Sequence, residues 1–304
     1  MAIVIWFVCV ATITGFLARW GWPFELASHF RLQYAVILLV GAVLVGLDNQ
    51  PMMAAVAAAF ALLNGAMLIP LYARRTSTTG GRTFRALLAN VLHSNRSHER
   101  LLRLIHSTRP DFVVLEEVNQ EWLATLKVLE PGYPSSKLVE RPDGCGILLL
   151  SRLPFERIEV IDVGSDGLAM PSIIAQVNLE GTRLTLVGTH PLAPANPRYT
   201  QARDKQLVGL GELLGQYDGP VMLLGDLNTT SWSPVFRDLV RSAKLRDSRI
   251  GFGIQPTWPV GVLPFQIPLD HCLVSSEVVV RKRWVGPNIG SDHYPVIVDF
   301  SLKV

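Results

Sequence analysis

Three long stretches near the start of the chain carry no charge, and after them the pattern of apolar and polar positions changes character. Residues 2–18, 32–47 and 52–73 contain no Asp, Glu, Lys or Arg. A bilayer crossing takes roughly 20 apolar residues, so the pattern predicts transmembrane helices over 2–20, 32–48 and 52–73. Trp20, Trp22 and Tyr72 stand where interfacial aromatics belong, and Arg19 is placed to snorkel. A cleaved signal peptide is disfavoured, because no Lys or Arg precedes the first apolar run. Buried helices of a large water-soluble protein are disfavoured too: the three follow one another without a polar face, across the tight turn Asp48-Asn49-Gln50-Pro51. Residues 1–73 therefore read as a transmembrane region. The polar, basic, Gly-rich stretch 74–83 reads as a linker.

From Phe84 onward, short apolar runs alternate with amphipathic segments. Phe84–Val91, Phe112–Leu115, Gly146–Leu150, Ile173–Leu179, Arg183–Val187, Val221–Leu224, Cys272–Val274 and Val296–Phe300 read as strands. Ser97–Thr108, with Ser97 as a cap, Gln201–Leu214 and Pro234–Ala243 read as helices. Glu180-Gly181 is a hairpin turn. The mixture predicts an α/β domain over 84–304: a two-sheet sandwich flanked by helices, four layers in the order α/β/β/α.

Composition adds little beyond this division. Of 304 residues, 49% are hydrophobic and only 17% charged, and the imbalance belongs to the charge-free stretches. Lys and Arg number 28 against 25 Asp and Glu. Arg19, Arg31, Arg74 and Arg75 against Glu25 and Asp48 account for most of that excess, so the part that follows is close to neutral. A sequence pI near 8.8 is then no sign of a nucleic-acid-binding domain. Cys9, Cys145 and Cys272 lack metal spacing and imply no disulfide framework.

The ends of the predicted strands collect polar groups. Asn90 ends the first, Glu116-Glu117 follows Phe112–Leu115, and Thr189-His190 follows Leu184–Val187. Asp226 and Asn228 follow Leu224, Asp270-His271 precedes Cys272, and Asp292-His293 precedes the last strand. Alternation along an extended segment would put Asp226 and Asn228 on one face. Acids and imidazoles gathered at one sheet edge suit metal-assisted attack on phosphorus. His93 and His98 read as surface or loop groups. Arg203 and Gln206, at i and i+3, read equally well as a solvated helix face.

Seven elements in order resemble the endonuclease/exonuclease/phosphatase superfamily: Asn90; Pro110-Asp111-Phe112-Val113-Val114-Leu115-Glu116-Glu117; Ser151-Arg152-Leu153-Pro154; Gly188-Thr189-His190; Gly225-Asp226-Leu227-Asn228; Leu269-Asp270-His271; and Ser291-Asp292-His293. The resemblance implies Mg²⁺, with Mn²⁺ as the alternative, held by Glu117 with Asn90 and Asp292. It makes Glu116 the weaker candidate. It implies that Asp226 orients or deprotonates the attacking water and that Asn228 holds a phosphoryl oxygen. It further implies that His190 and His293 donate to the phosphate and that Asp270 orients His293. Some nucleases of the group carry an acid where this chain has Leu92, which weakens a nuclease assignment.

Together these readings predict a membrane-anchored, metal-dependent phosphoesterase. Its expected partners are membrane lipids and a lipid-linked phosphate, pyrophosphate or phosphodiester, which tethering would present at high effective concentration. The architecture is also similar to membrane-anchored teicoplanin-resistance proteins. A membrane-tethered nuclease and a non-catalytic scaffold are the alternatives. Arg19 and Arg31 before the second span, and Arg74, Arg75, Arg82 and Arg85 after the third, lean the catalytic part to the cytoplasmic side.

Overall fold

The computed structural model describes residues 1–73, 81–164, 168 and 170–303. The expected linker falls mostly outside them. Twelve strands form two six-stranded sheets. They are β1 (Phe84–Asn90), β2 (Phe112–Val118), β3 (Ser135–Val139), β4 (Gly146–Ser151), β5 (Phe155–Ile161), β6 (Ser172–Leu179), β7 (Thr182–Gly188), β8 (Val221–Asp226), β9 (Arg246–Asp247), β10 (Asp270–Val274), β11 (Val278–Val285) and β12 (Val296–Leu302). The first sheet runs β11-β12-β1-β2-β4-β3 and the second β5-β6-β7-β8-β10-β9.

The central strands are apolar on both faces because both faces are covered. Ala86, Leu88, Val114 and Ile147 of the first sheet meet Ile173, Leu186, Met222 and Cys272 of the second in the inner core. On its other side the first sheet packs Leu87, Val113 and Leu115 against α5 (His98–Thr108) and α6 (Gln120–Leu126). The second sheet packs Val187, Val221 and Leu223 against α7 (Pro197–Leu214) and α8 (Pro234–Ser242). The sandwich is thus four layers, helix, sheet, sheet, helix. The β6–β7 hairpin turns at Glu180 and Gly181, both left-handed at φ +54° and +93°, which is what a two-residue turn of that kind requires. Ser97 stands at the N-cap of α5 but makes no side-chain capping bond.

The first 73 residues overturn one expectation. They form α1 (Ala2–Phe16), α2 (Trp22–Leu26), α3 (Arg31–Leu47) and α4 (Pro51–Ala66). The three long ones have 15, 17 and 16 residues, at most about 25 Å at 1.5 Å per residue. No helix among the described residues is long and apolar enough to cross a membrane. The predicted spans 2–20, 32–48 and 52–73 were drawn on missing charge, and missing charge does not make a continuous helix. Gly21, at φ +143°, ends the first segment. Pro70 sits in the short 3-10 turn Ile69–Tyr72 that follows α4.

The boundary at Leu32 also left out Arg31, which is buried among the helices. It donates to the Thr12 carbonyl (3.3 Å) and to Asn64 Oδ1 (3.2 Å). The integral-membrane expectation and the cytoplasmic lean built on it fall together, because the charge rule orients spans. The helices lie on the sandwich. Arg19 pairs with Asp238, Trp22 Nε1 donates to the Pro194 carbonyl at 2.8 Å, and Gln33 donates to the Gln266 carbonyl at 2.9 Å. Leu68 and Leu71 pack on Trp232 and Ile254.

Candidate active site

Strand direction gathers the polar ends. β1 and β2 are parallel with Asn90 opposite Glu116, and β7 and β8 are parallel. β10 is antiparallel to β8, with its first residue Asp270 opposite Asp226. β12 is antiparallel to β1, so residues 291–293 enter from the same rim.

Glu116 and Glu117 part company at a bulge. The β2–β4 register shifts between Glu116 and Val118, and Glu117 takes φ +58°. A bulge re-aims the side chain, and a left-handed non-glycine backbone costs about 1–3 kcal/mol. Gly146 is required opposite it, since a Cβ there would lie 2.5 Å from the Val118 carbonyl oxygen. Glu116 turns between the sheets, where both carboxyl oxygens lie 3.1 Å from the Asp226 amide nitrogen. Burial pushes its pKa well above the usual carboxylate range, against the pull of His190.

Glu117 faces the cleft. Its Oε1 accepts from Asn90 Nδ2 at 2.9 Å, its Oε2 lies 3.1 Å from His93 Nδ1, and His190 Nε2 is 3.7 Å from Oε1. Burial opposes its charge, but His190, Asn90 and His93 outweigh that and hold its pKa well below the usual carboxylate range.

Asp226 is the centre of the cluster. Its Oδ2 lies 3.3 Å from Asn90 Nδ2, 3.6 Å from His293 Nε2 and 3.9 Å from His190 Nδ1. Gly225 precedes it because β8 passes hard against the neighbouring strand end: a Cβ at Gly225 would sit 1.9 Å from the Thr189 carbonyl oxygen. Asn228 reaches the rim by a route other than alternation. The chain turns at φ +50°, the Asn228 amide donates back to Asp226 Oδ1 at 3.0 Å, and Asn228 Nδ2 donates to the Pro191 carbonyl at 3.0 Å.

His293 Nδ1 lies 2.9 Å from Asp270 Oδ2. Asp270 is fully buried and its Oδ1 has no hydrogen-bond partner among the described residues. Burial alone would lower the pKa of His293, but Asp270 and Asp226 hold it up to about 10. His190 is likewise held up to about 10, against burial, by Glu116, Glu117 and Asp226. Both are imidazolium donors at neutral pH. Asp292 is exposed, and its Oδ2 accepts from Trp258 Nε1 at 3.1 Å.

The structure therefore brings Asn90, Glu117, His190, Asp226, Asp270 and His293 together, with Asn228 beside Asp226 and Asp292 at the outer edge. Potential metal donors of Asp226, Asp270 and His293 all lie within 4.8 Å of one another. That trio reads better as a charge cluster than as a metal site, because His293 Nδ1 is already engaged by Asp270 at 2.9 Å while its Nε2 stands 3.6 Å from Asp226. Glu117 offers carboxylate oxygens at an accessible bend, the donor type a hard divalent cation takes. Asn90 is buried with Nδ2 toward Glu117 and Asp226, and would offer its oxygen once the amide turns over.

The profile of the Endonuclease/Exonuclease/phosphatase family matches residues 87–293. The chain belongs to that family. Members of the Endonuclease/Exonuclease/phosphatase family are hydrolases of phosphoester bonds and generally depend on a divalent metal. A UPF0294 protein of Vibrio parahaemolyticus is 29% identical over 108 residues, 34% of this chain and 36% of the relative, so the match spans about a third of that protein's length. Solved structures of similar fold include a family member from Bacteroides vulgatus (TM-score 0.62, 18% identity, 73% of this chain and 100% of that one). D. rerio TDP2 complexed with a single-strand DNA product gives TM-score 0.61 at 20% identity, over 73% and 100%. The human Nocturnin catalytic domain with bound sulfate gives 0.61 at 18%, over 73% and 94%.

Within this family member, some contacts of the site escape a reading by residue type. His93 reads as a surface or loop group and is exposed, but its Nδ1 also lies 3.1 Å from Glu117 Oε2. Arg203 and Gln206 had read equally well as a solvated face, yet both are buried. Gln206 Nε2 donates to the Met170 carbonyl (2.8 Å) and Thr189 Oγ1 (3.2 Å), and Arg203 donates to the Asn228 carbonyl (2.8 Å). The one available signal for these two was their spacing on a helix that follows His190.

Proposed function

We propose that this chain is a phosphoesterase using Mg²⁺, with Mn²⁺ able to replace it, and that its chemistry runs at the rim just described. The observation that supports this most is the convergence of Asp226, from one sheet, with Asn90 and Glu117, from the other, under two charged imidazoles. Glu117 and Asn90, with Asp292 from the outer edge, would hold the cation, which supplies charge stabilisation at the phosphoryl oxygens. Asp226 orients the attacking water and takes its proton. Asn228 holds a phosphoryl oxygen. His190 and His293 donate hydrogen bonds to oxygens that gain charge in the transition state, so they stabilise it more than the ground state. Asp270 orients His293 and favours its imidazolium form.

The preference for a lipid-linked substrate rested on a tether of spanning helices and has no support without them. The scaffold alternative has none either, since the polar set is complete. The test is turnover by the purified chain with Mg²⁺ on bis(p-nitrophenyl) phosphate, single-stranded DNA, inositol phosphates, phospholipids and a lipid pyrophosphate. Hydrolysis of at least one, lost in EDTA and regained with Mg²⁺ or Mn²⁺, is expected. No metal-dependent turnover on any of them would sink the proposal.

A further inference from the structure

One acid from the helical N-terminal segment enters the sandwich beside the site. Glu25, on α2, is buried. Its Oε2 accepts from Arg203 Nη2 at 2.5 Å, and its Oε1 accepts from Thr229 Oγ1 at 3.1 Å and Ser233 Oγ at 2.7 Å. Arg203 is fully buried on α7, and its Nη1 donates to the Asn228 carbonyl at 2.8 Å. His29 Nδ1 lies 2.9 Å from Thr230 Oγ1. The turn that follows Asp226 is therefore gripped at four consecutive or near-consecutive positions: Asn228, Thr229, Thr230 and Ser233.

We propose that Glu25 is a positioning residue of the active site: through Arg203 and two hydroxyls it fixes the left-handed turn at Asn228, and so the placement of Asn228 and Asp226. The proposal rests on the reading above that those two residues act on the phosphoester. The physical reason is the charge of Arg203. A buried guanidinium needs a buried anion. Asp204 also lies 2.7 Å from Arg203, but its side chain is 41% exposed, so Glu25 is the enclosed counter-ion. Without the Glu25 charge the guanidinium is drawn outward to Asp204, away from the Asn228 carbonyl. The Thr229 and Ser233 hydroxyls lose their ionic acceptor at the same time. No catalytic atom touches Glu25, so its effect falls on geometry.

Glu25→Gln keeps the shape and removes the charge. In the full-length chain it should lower kcat by roughly 10- to 100-fold, the scale of a small misplacement of reacting groups. KM and the Mg²⁺ concentration for half-activity should stay within about threefold, since neither diester nor cation contacts Glu25. Because an unpaired Arg203 could unfold the single variant, Glu25→Gln/Arg203→Gln is made as well. It removes both charges, and it should regain the wild-type thermal melt while kcat stays low. Wild-type kcat in either folded variant would overturn the proposal, as would a loss of activity that disappears once the melt is restored. Asp226→Asn separates the two readings. If it retains full turnover, the site assignment fails. If it is inactive while Glu25→Gln is normal, only the role of Glu25 fails.

Discussion

On the rim of the first sheet Glu117 and Asp292 can be reached from solvent, whereas Asp226 and Asp270 on the rim of the second cannot. The Glu117 side chain is 18% exposed and His93 beside it 48%, and Asp292 is exposed. Asp226 and Asp270 are 1% and 0% exposed in their side chains, and His293, which leans onto both, is 7%. An accessible, strained carboxylate suits a group that must exchange water for a cation. Buried, multiply hydrogen-bonded groups suit a proton path that must not reorganise during reaction. The same element type, a strand end, thus serves two tasks, and the bulge at Glu117 is what separates them.

The largest effect should come from the buried rim. Asp226→Asn and His293→Ala should each lower turnover by about 10³-fold or more, and the double variant should be scarcely worse, because groups acting as a unit are strongly non-additive. The thermal melt of Asp226→Asn should stay close to wild type, and that of His293→Ala should fall, because the buried Asp270 carboxylate loses its partner. Additive losses would mean that the two do not share a site.

A smaller and more informative effect separates the neighbouring acids. Glu117→Gln should cost roughly 10²-fold and be partly restored by raised Mg²⁺, as loss of a ligand weakens affinity. Glu116→Gln should change turnover by less than about threefold, since Glu116 turns between the sheets rather than into the cleft, and a Gln still offers an oxygen acceptor to the Asp226 amide. A larger loss at Glu116 than at Glu117 would invert the comparison.

The smallest effect lies behind the buried rim. Burial lowers the pKa of His29 to about 4 and of His271 to about 3, with Arg203 and Arg249 respectively adding to the shift. Both stay neutral in the fold while the unfolded chain takes up protons near pH 6.5. Their contribution to stability is therefore complete above about pH 6.5 and is lost as pH falls toward 4. Between pH 7 and 5.5 the pair should cost roughly 2 kcal/mol. His190 and His293, whose raised pKa adds stability as pH falls, offset part of that cost. The pair is therefore read from the difference in pH slope of the thermal midpoint between variant and wild type. His29→Gln should shallow that slope, and an unchanged slope would assign it elsewhere.

Much of the sandwich could be read from the chain because its central strands are doubly covered. Ala86–Ala89, Val113–Leu115 and Val221–Leu224 are continuous apolar runs; the first two end directly in a polar residue at the rim, and the third reaches Asp226 across Gly225. Edge strands were harder to read. Phe155–Ile161 has no buried position, and in Val278–Val285 the apolar run Val278–Val280 is cut short by the charged Arg281-Lys282-Arg283. The N-terminal helices misled for the opposite reason. Their apolar surface is real, with Ile3, Phe7, Leu39 and Leu62 exposed, but turns break it into helices too short to span. Alternation placed Asn228 beside Asp226 by the wrong geometry, because the turn is set by the Asp226 carboxylate. Glu25 had no local signal at all: its partner Arg203 lies 178 positions away.

That distance has a consequence for the order in which the molecule is made. The contacts of α2 and the turn after it with the sandwich join positions far apart, among them Trp22 with Pro194, Glu25 with Ser233 and His29 with Thr230. The helices leave the ribosome ahead of the sandwich, long before the residues that Glu25 and His29 will meet exist. Long-range contacts of this kind form late, because the chain between their ends must be ordered before they can be rewarded. The nascent helices must wait with their polar groups in water, and the turn at Asn228 reaches its final hold only when the beginning of the chain returns to it.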